Sequence, residues 1–105
     1  MIHSFTLSQR GRMFEFELEQ SGRTFKVLRA KDSAAPHLCL GYSPTKGVDE
    51  VLDKSSDALQ VFNIATRVRV GDCTLGALEM RAPDIETLKL ALARVQVLFW
   101  DSESI

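Results

Sequence analysis

Cysteine, histidine and long apolar runs are what this chain has least of. Its two cysteines, Cys39 and Cys73, cannot build a disulfide framework, and the expected compartment is a reducing one, the cytoplasm. A zinc site would have to gather His3, His37, Cys39 and Cys73, because they are the only histidines and cysteines present. They show none of the short paired spacings of zinc motifs, so no metal and no other cofactor is expected. No apolar run is long enough to span a bilayer. The opening Met1-Ile2-His3-Ser4 lacks the basic-then-apolar pattern of a signal peptide. A strong excess of one charge is missing too. A formal net charge of −1 argues against generic nucleic-acid binding. There is no glycine-rich phosphate loop and no nucleophile elbow. His37 and Cys39 share a strand face and could pair a nucleophile with a base. A small buried thiol beside an edge histidine is the simpler account, and an enzyme is not expected.

What the chain does have is patterning. At 105 residues with 45% hydrophobic and 26% charged residues, it reads as one globular domain with one core. The strongest periodicity lies at the C-terminal end, where the spacing predicts a helix from Ala82 to Trp100. Asp84 is the expected N-cap, and Glu86 adds negative charge to the first turn. Ile85, Leu88, Leu92, Val95 and Phe99, with Ala91 and Leu98 beside them, fall within an arc of roughly 140° and form the expected core face. Leu90, Ala93, Val97 and Trp100 form a second stripe, flanked by Lys89 and Gln96 on one side and Thr87 and Arg94 on the other. A surface helix ordinarily has one apolar stripe. The second is covered either by the same chain or by a partner, and Trp100 would then be its centre, since Trp is enriched at binding hot spots.

Short alternating runs precede the helix. Ile2–Leu7 alternates weakly and ends in a turn at Ser8-Gln9-Arg10-Gly11. In Arg12–Glu19, Phe14, Phe16 and Leu18 face one way and Glu15, Glu17 and Glu19 the other, as in a sheet with one wet face. Ser21-Gly22 is a turn signal, and Arg23–Ala30 returns. A tight turn there sets Leu18 against Phe25, Phe16 against Val27 and Glu17 against Lys26. Lys31–Pro36 reads as a loop and His37–Tyr42 as a strand. Val48–Lys54 reads as a loop or a short helix. Phe62–Val70 alternates as a strand, with a helix over Ala58–Ala65 as the alternative for its first half; the β-branched run from Ile64 favours strand for the second. A three-residue turn, Gly71-Asp72-Cys73, leads to a last strand, Thr74–Ala82, pairing Ile64 with Met80, Thr66 with Leu78 and Val68 with Gly76. The expected fold is α+β: a mainly antiparallel sheet or partly closed barrel of about six strands, packed by one long C-terminal helix.

Charge is unevenly placed. Arg10, Arg12, Arg23, Lys26, Arg29 and Lys31 make the first 31 residues basic, and Asp32, Asp49, Glu50, Asp53 and Asp57 make the next stretch acidic. Such asymmetry can steer a partner, although solvated strand edges produce it as well.

Several strands, a variable insertion, more strands and a closing amphipathic helix with a late Trp resemble a pleckstrin-homology-like domain. The local likeness is strongest at Leu78-Glu79-Met80-Arg81-Ala82-Pro83-Asp84, which is similar to the last strand and helix start of that family. Tyr42 at a strand end and Phe62–Gly71 fit it more loosely. The resemblance implies a module that binds phosphoinositide or protein. A fold likeness alone does not fix function.

Three functions follow as expectations. The leading one is a non-catalytic intracellular protein-interaction module, bound to a protein partner or to itself as a homodimer, through Leu90, Ala93, Val97 and Trp100. The second is an anionic-ligand or membrane-surface module using Arg10, Arg12, Arg23 and Lys26, with salt-sensitive binding. The third is a small bacterial inhibitor or immunity-type protein that presents the acidic stretch Asp49–Asp57 to a basic site.

Overall fold

A computed structural model describes residues 1–32, 39–43, 50–52 and 67–100. Along the chain run β1 (Ile2–Gln9), β2 (Arg12–Ser21), β3 (Thr24–Asp32), β4 (Cys39–Ser43), β5 (Glu50–Leu52), β6 (Arg67–Val70), β7 (Cys73–Gly76), β8 (Glu79–Arg81), α1 (Ile85–Arg94) and β9 (Gln96–Trp100). Seven strands form one antiparallel sheet in the order β1-β2-β3-β8-β7-β6-β5, and β4 and β9 pair as a separate ribbon. The class is α+β and the sheet is antiparallel. It stays open, with β1 and β5 at its two ends. The described strands outnumber the expected six for three reasons. Part of Val48–Lys54 is a strand, Thr74–Ala82 is two strands, and the expected helix gives up its last residues to a third.

The two hairpins at the sheet's left half follow from turn chemistry. Arg10 and Gly11 both take positive φ, 50° and 77°, the type I′ geometry whose twist matches paired strands. Gly11 adopts it freely, whereas Arg10 is held there by the flanking Gln9–Arg12 pair. In the second hairpin the two-residue loop is Gly22-Arg23, with Gly22 at φ 61°. Leu18 therefore lies opposite Val27 and Glu19 opposite Lys26, a two-residue displacement from the expected register. An even displacement keeps every side chain on its own face, which is why the hydrophobic pattern could not exclude it.

A β-bulge changes the phase of β3. Leu18 pairs with Val27 but Glu17 pairs with Arg29, so Leu28 is the extra residue. Beyond the bulge Ala30 and Asp32 turn toward the core side. Asp32 is 1% exposed, and the Arg12 guanidinium forms an ion pair with it at the sheet's end. A charge at such burial needs a partner of this kind.

The β6–β7 loop is likewise two residues, Gly71-Asp72, closed by Val70 opposite Cys73. Gly71 has φ 58° at the first loop position, the place a type II′ turn reserves for glycine. In a three-residue turn glycine is usual at the third position, not the first, so the shorter loop is the one that fits Gly71. Val68 consequently faces Leu75 and not Gly76.

The inner face of the sheet carries Phe14, Phe16, Leu18, Phe25, Met80, Leu75, Val68 and Val70, all buried. Leu88, Ala91 and Leu92 of α1, Leu40 and Tyr42 of β4, and Cys73, Ala82, Val95 and Val97 complete the core. Each fully buried Leu, Val or Phe contributes about 1.5–3 kcal/mol before entropy is charged against it. The outer face is a set of charged rows. Glu15 lies between Thr6 and Lys31, Glu17 between Ser4 and Arg29, and Glu19 between Ile2 and Lys26, which in turn faces Glu79. Lys31 Nζ is 3.6 Å from Glu15 Oε2. This face is solvated, as the alternation of β2 predicts, and its exposed pairs add little stability.

The helix begins where expected. Asp84 accepts from the Thr87 amide at 2.8 Å, and that bond holds its carboxyl below the usual carboxylate range. Its end is a correction: α1 stops at Arg94, and Val95 is extended with φ −113° and ψ 162°. Gln9 supplies the reason. Its side-chain Nε2 donates to the carbonyls of Leu92 (3.2 Å) and Val95 (2.6 Å), and its Oε1 accepts from the Val97 amide (3.0 Å). Helix-end carbonyls that lack intrahelical donors are satisfied by a residue more than eighty positions away in sequence. The chain then continues as β9 beside β4, Tyr42 opposite Val97 and Cys39 opposite Trp100. Val95 and Val97 fall on two different stripes at period 3.6, but in the extended chain that leaves α1 they are two apart and both point inward.

Tyr42, the one tyrosine, is buried with its hydroxyl donating to the Gly76 carbonyl at 3.4 Å. Burial pushes its pKa well above 10. A raised folded-state pKa means that the unfolded chain loses this proton first, so stability falls as pH rises past about 10. Tyrosinate absorbance should therefore appear only as the chain unfolds in an alkaline titration. Tyr42→Phe should remove that part of the alkaline loss.

Candidate functional site

The sequence-derived interaction stripe does not survive as a surface. Leu90 is 67% exposed and Ala93 is exposed on α1, but Val97 is 4% exposed inside the core from β9. The Trp100 backbone lies in β9, and its side chain is outside the described residues. The stripe assumed one continuous helix, and the strand after Arg94 sends its two halves to different places.

The four basic candidates are separated as well. Arg10 sits in the β1–β2 turn and Arg12 beside it, whereas Arg23 sits in the β2–β3 turn at the other end of β2. A strand of that length spans roughly 30 Å. Arg12 is engaged with Asp32, and Lys26 stands between Glu19 and Glu79. No common anion site is built from them.

His37 and the acidic stretch, apart from Glu50–Leu52, lie outside the described residues, and Cys39 is described only as β4 backbone. Cys73 is buried, with its thiol 3.7 Å from the Thr87 carbonyl. Burial, then Asp72 and Asp84, push that thiol's pKa up, away from the reactive thiolate. Among the described residues no three His, Cys, Asp or Glu side chains gather as a metal site.

The structure adds a site in β1. It is the sheet's terminal strand, and no described strand lies beyond it. Met1 and Gln20 exchange backbone bonds, the Gln20 amide donating to Met1 O at 2.7 Å and the Met1 amine to Gln20 O at 3.4 Å. Antiparallel ladders alternate, so the odd residues His3, Phe5, Leu7 and Gln9 bond inward to β2. The amides and carbonyls of Ile2, Ser4, Thr6 and Ser8 point away from the sheet. Side chains on the inner face hold the strand in place. His3 Nε2 donates to Gln20 Oε1 at 2.7 Å, Phe5 stacks on Phe16 with centroids 5.3 Å apart, and Gln9 grips the end of α1. Lys89 Nζ lies 5.1 Å over the Phe5 ring. On the outer face Ser4, Thr6, Glu15, Glu17 and Arg29 line an open groove of about 250 Å³.

The residues of this edge are Ile2-His3-Ser4-Phe5-Thr6-Leu7-Ser8-Gln9, with no Lys, Arg, Asp, Glu or Pro among them. Charge, proline, bulges and shortness are the usual protections of an edge strand. At the other end of the sheet, β5 has the last of these, being three residues long. β1 has none. The absence of charge over eight consecutive residues was visible in the sequence; that they form an edge was not. Compared with known proteins, the chain matches no family model, no curated protein and no solved structure.

Proposed function

We propose that this chain is a non-catalytic protein-interaction module that binds by adding a strand to β1. The supporting observation is the uncharged, eight-residue edge with outward backbone groups at Ile2, Ser4, Thr6 and Ser8. Strand addition takes its affinity from main-chain hydrogen bonds, and an edge already fixed by Phe16, Gln20 and α1 loses little entropy on binding. Its compartment on this reading is the cytoplasm, in keeping with few cysteines and a free, buried Cys73 thiol.

Thr6→Pro tests the edge without disturbing the sheet. The Thr6 amide is not used by the β1–β2 ladder, and proline is tolerated at edge positions of this kind. Extended peptides selected for binding to the wild-type chain should lose at least tenfold in affinity for Thr6→Pro, while circular dichroism and the melting temperature stay unchanged. Peptides indifferent to this substitution would place the interaction surface elsewhere.

A further inference from the structure

We infer that the occupant of the β1 edge is a second copy of this chain, paired β1 to β1 in antiparallel fashion about a two-fold axis at Phe5. The inference rests on the edge reading above and specifies its partner.

A two-fold axis at Phe5 sets residue 2 against 8 and residue 4 against 6 of the second copy. This register engages every outward-facing residue, Ile2, Ser4, Thr6 and Ser8, in hydrogen-bonded pairs with two backbone bonds each. A shift by two residues in either direction leaves at least one of them unpaired. The side chains agree with the same register. On the outer face Ser4 meets Thr6 and Ile2 meets Ser8 of the second copy. On the inner face Phe5 meets Phe5 in a non-hydrogen-bonded pair, where side chains approach most closely, and Leu7 meets His3. Phe5 and Leu7 are only half-buried in one copy and pack on the margin of its core, so the joint covers apolar surface that the single chain leaves wet.

Charge within β1 does not oppose a second copy, and the Lys89 ammonium over the Phe5 ring, near the axis, lies 3.9 Å from Glu86. An edge strand with a fixed charge would set like against like across a two-fold axis; β1 has none to repeat. The nearest acids, Glu15 and Glu17, stand one strand back in each copy. Across the joint they are about three strand spacings apart, roughly 14 Å. That exceeds the Debye length of about 8 Å at physiological salt, so the two acidic rows barely repel. The result is one continuous sheet through both copies, with its charged face still in water.

Sedimentation equilibrium of the full chain over a wide concentration range is the test. A single strand joint is small, so a reversible, concentration-dependent monomer–dimer equilibrium is expected. Ser4→Lys with Thr6→Lys sets like charges directly opposite at both 4–6 pairs and should raise the dimer dissociation constant at least tenfold. Ser4→Glu with Thr6→Lys sets acid opposite base at the same pairs and should keep the dimer. Circular dichroism and melting curves confirm that each variant is folded, and Thr6→Pro provides an independent edge block. A wild-type chain that stays monomeric overturns the inference. So does a dimer indifferent to the paired lysines, or one that the Glu/Lys variant loses. A monomeric wild type whose selected peptides still fail on Thr6→Pro would leave the edge reading standing and make its occupant foreign.

Discussion

Gln9→Leu is expected to lower the unfolding free energy by about 2–3 kcal/mol, read as a reduced urea midpoint with an unchanged slope. The side chain makes three hydrogen bonds to the turn from α1 to β9: the carbonyls of Leu92 and Val95 receive its amide, and the Val97 amide donates to its oxygen. Each is worth about 1 kcal/mol net, and all three partners are backbone groups at a partly buried helix end. Leucine fills similar volume and offers neither donor nor acceptor. Gln9→Glu separates the two roles. The carboxylate can still accept from Val97, but it meets the Leu92 and Val95 carbonyls without a donor. Its own pKa must therefore rise in the folded state. The variant should be least stable at neutral pH and recover part of the loss as acid returns a proton to the side chain.

Arg12→Ala should cost about 2–4 kcal/mol, more than Asp32→Ala. The asymmetry comes from burial: the Arg12 side chain is 58% exposed and that of Asp32 is 1% exposed. Removing the arginine deprives a desolvated carboxylate of its guanidinium. Removing the aspartate frees an arginine that water can reach, and that still lies 6.0 Å over the Phe14 ring. Arg12→Met with Asp32→Leu should recover most of the single-variant loss, because apolar residues often replace a buried ion pair at little net cost. Chemical denaturation of the wild type, Arg12→Ala, Asp32→Ala and the Arg12→Ala/Asp32→Ala double variant completes a double-mutant cycle, with the Met/Leu protein measured beside it. If Arg12→Ala and Asp32→Ala cost the same, burial of the carboxylate is not what makes the pair matter.

Both predictions concern residues with little voice in the local sequence. Gln9 reads as turn, and Asp32 reads as the polar start of a loop. The features legible in advance were those a short window contains. Phe14, Phe16 and Leu18 alternate with acids, and the structure buries the first set and solvates the second. Asp84 announces the helix start because an N-cap acts within three residues. Of the candidate site, the chargeless run Ile2–Gln9 was legible as composition, but its place at the end of a seven-stranded sheet was not.

The sequence by itself determined which residues of β2 face the core, the Asp84 cap that begins α1, and that the class is α+β. Tertiary structure decided the rest. The Gly22-Arg23 loop and the bulge at Leu28 chose the register, which side-chain alternation leaves free to slip by two. The same bulge brought Asp32 inward to Arg12. From Val95 onward the residues satisfy both a helical and a strand pattern. Strand wins because β4 offers a ladder and Gln9, from the far end of the chain, takes over the helix's last carbonyls. Patterns of period 2 and 3.6 are local properties, whereas the hydrogen-bond partners that choose between them are brought into reach only by the fold.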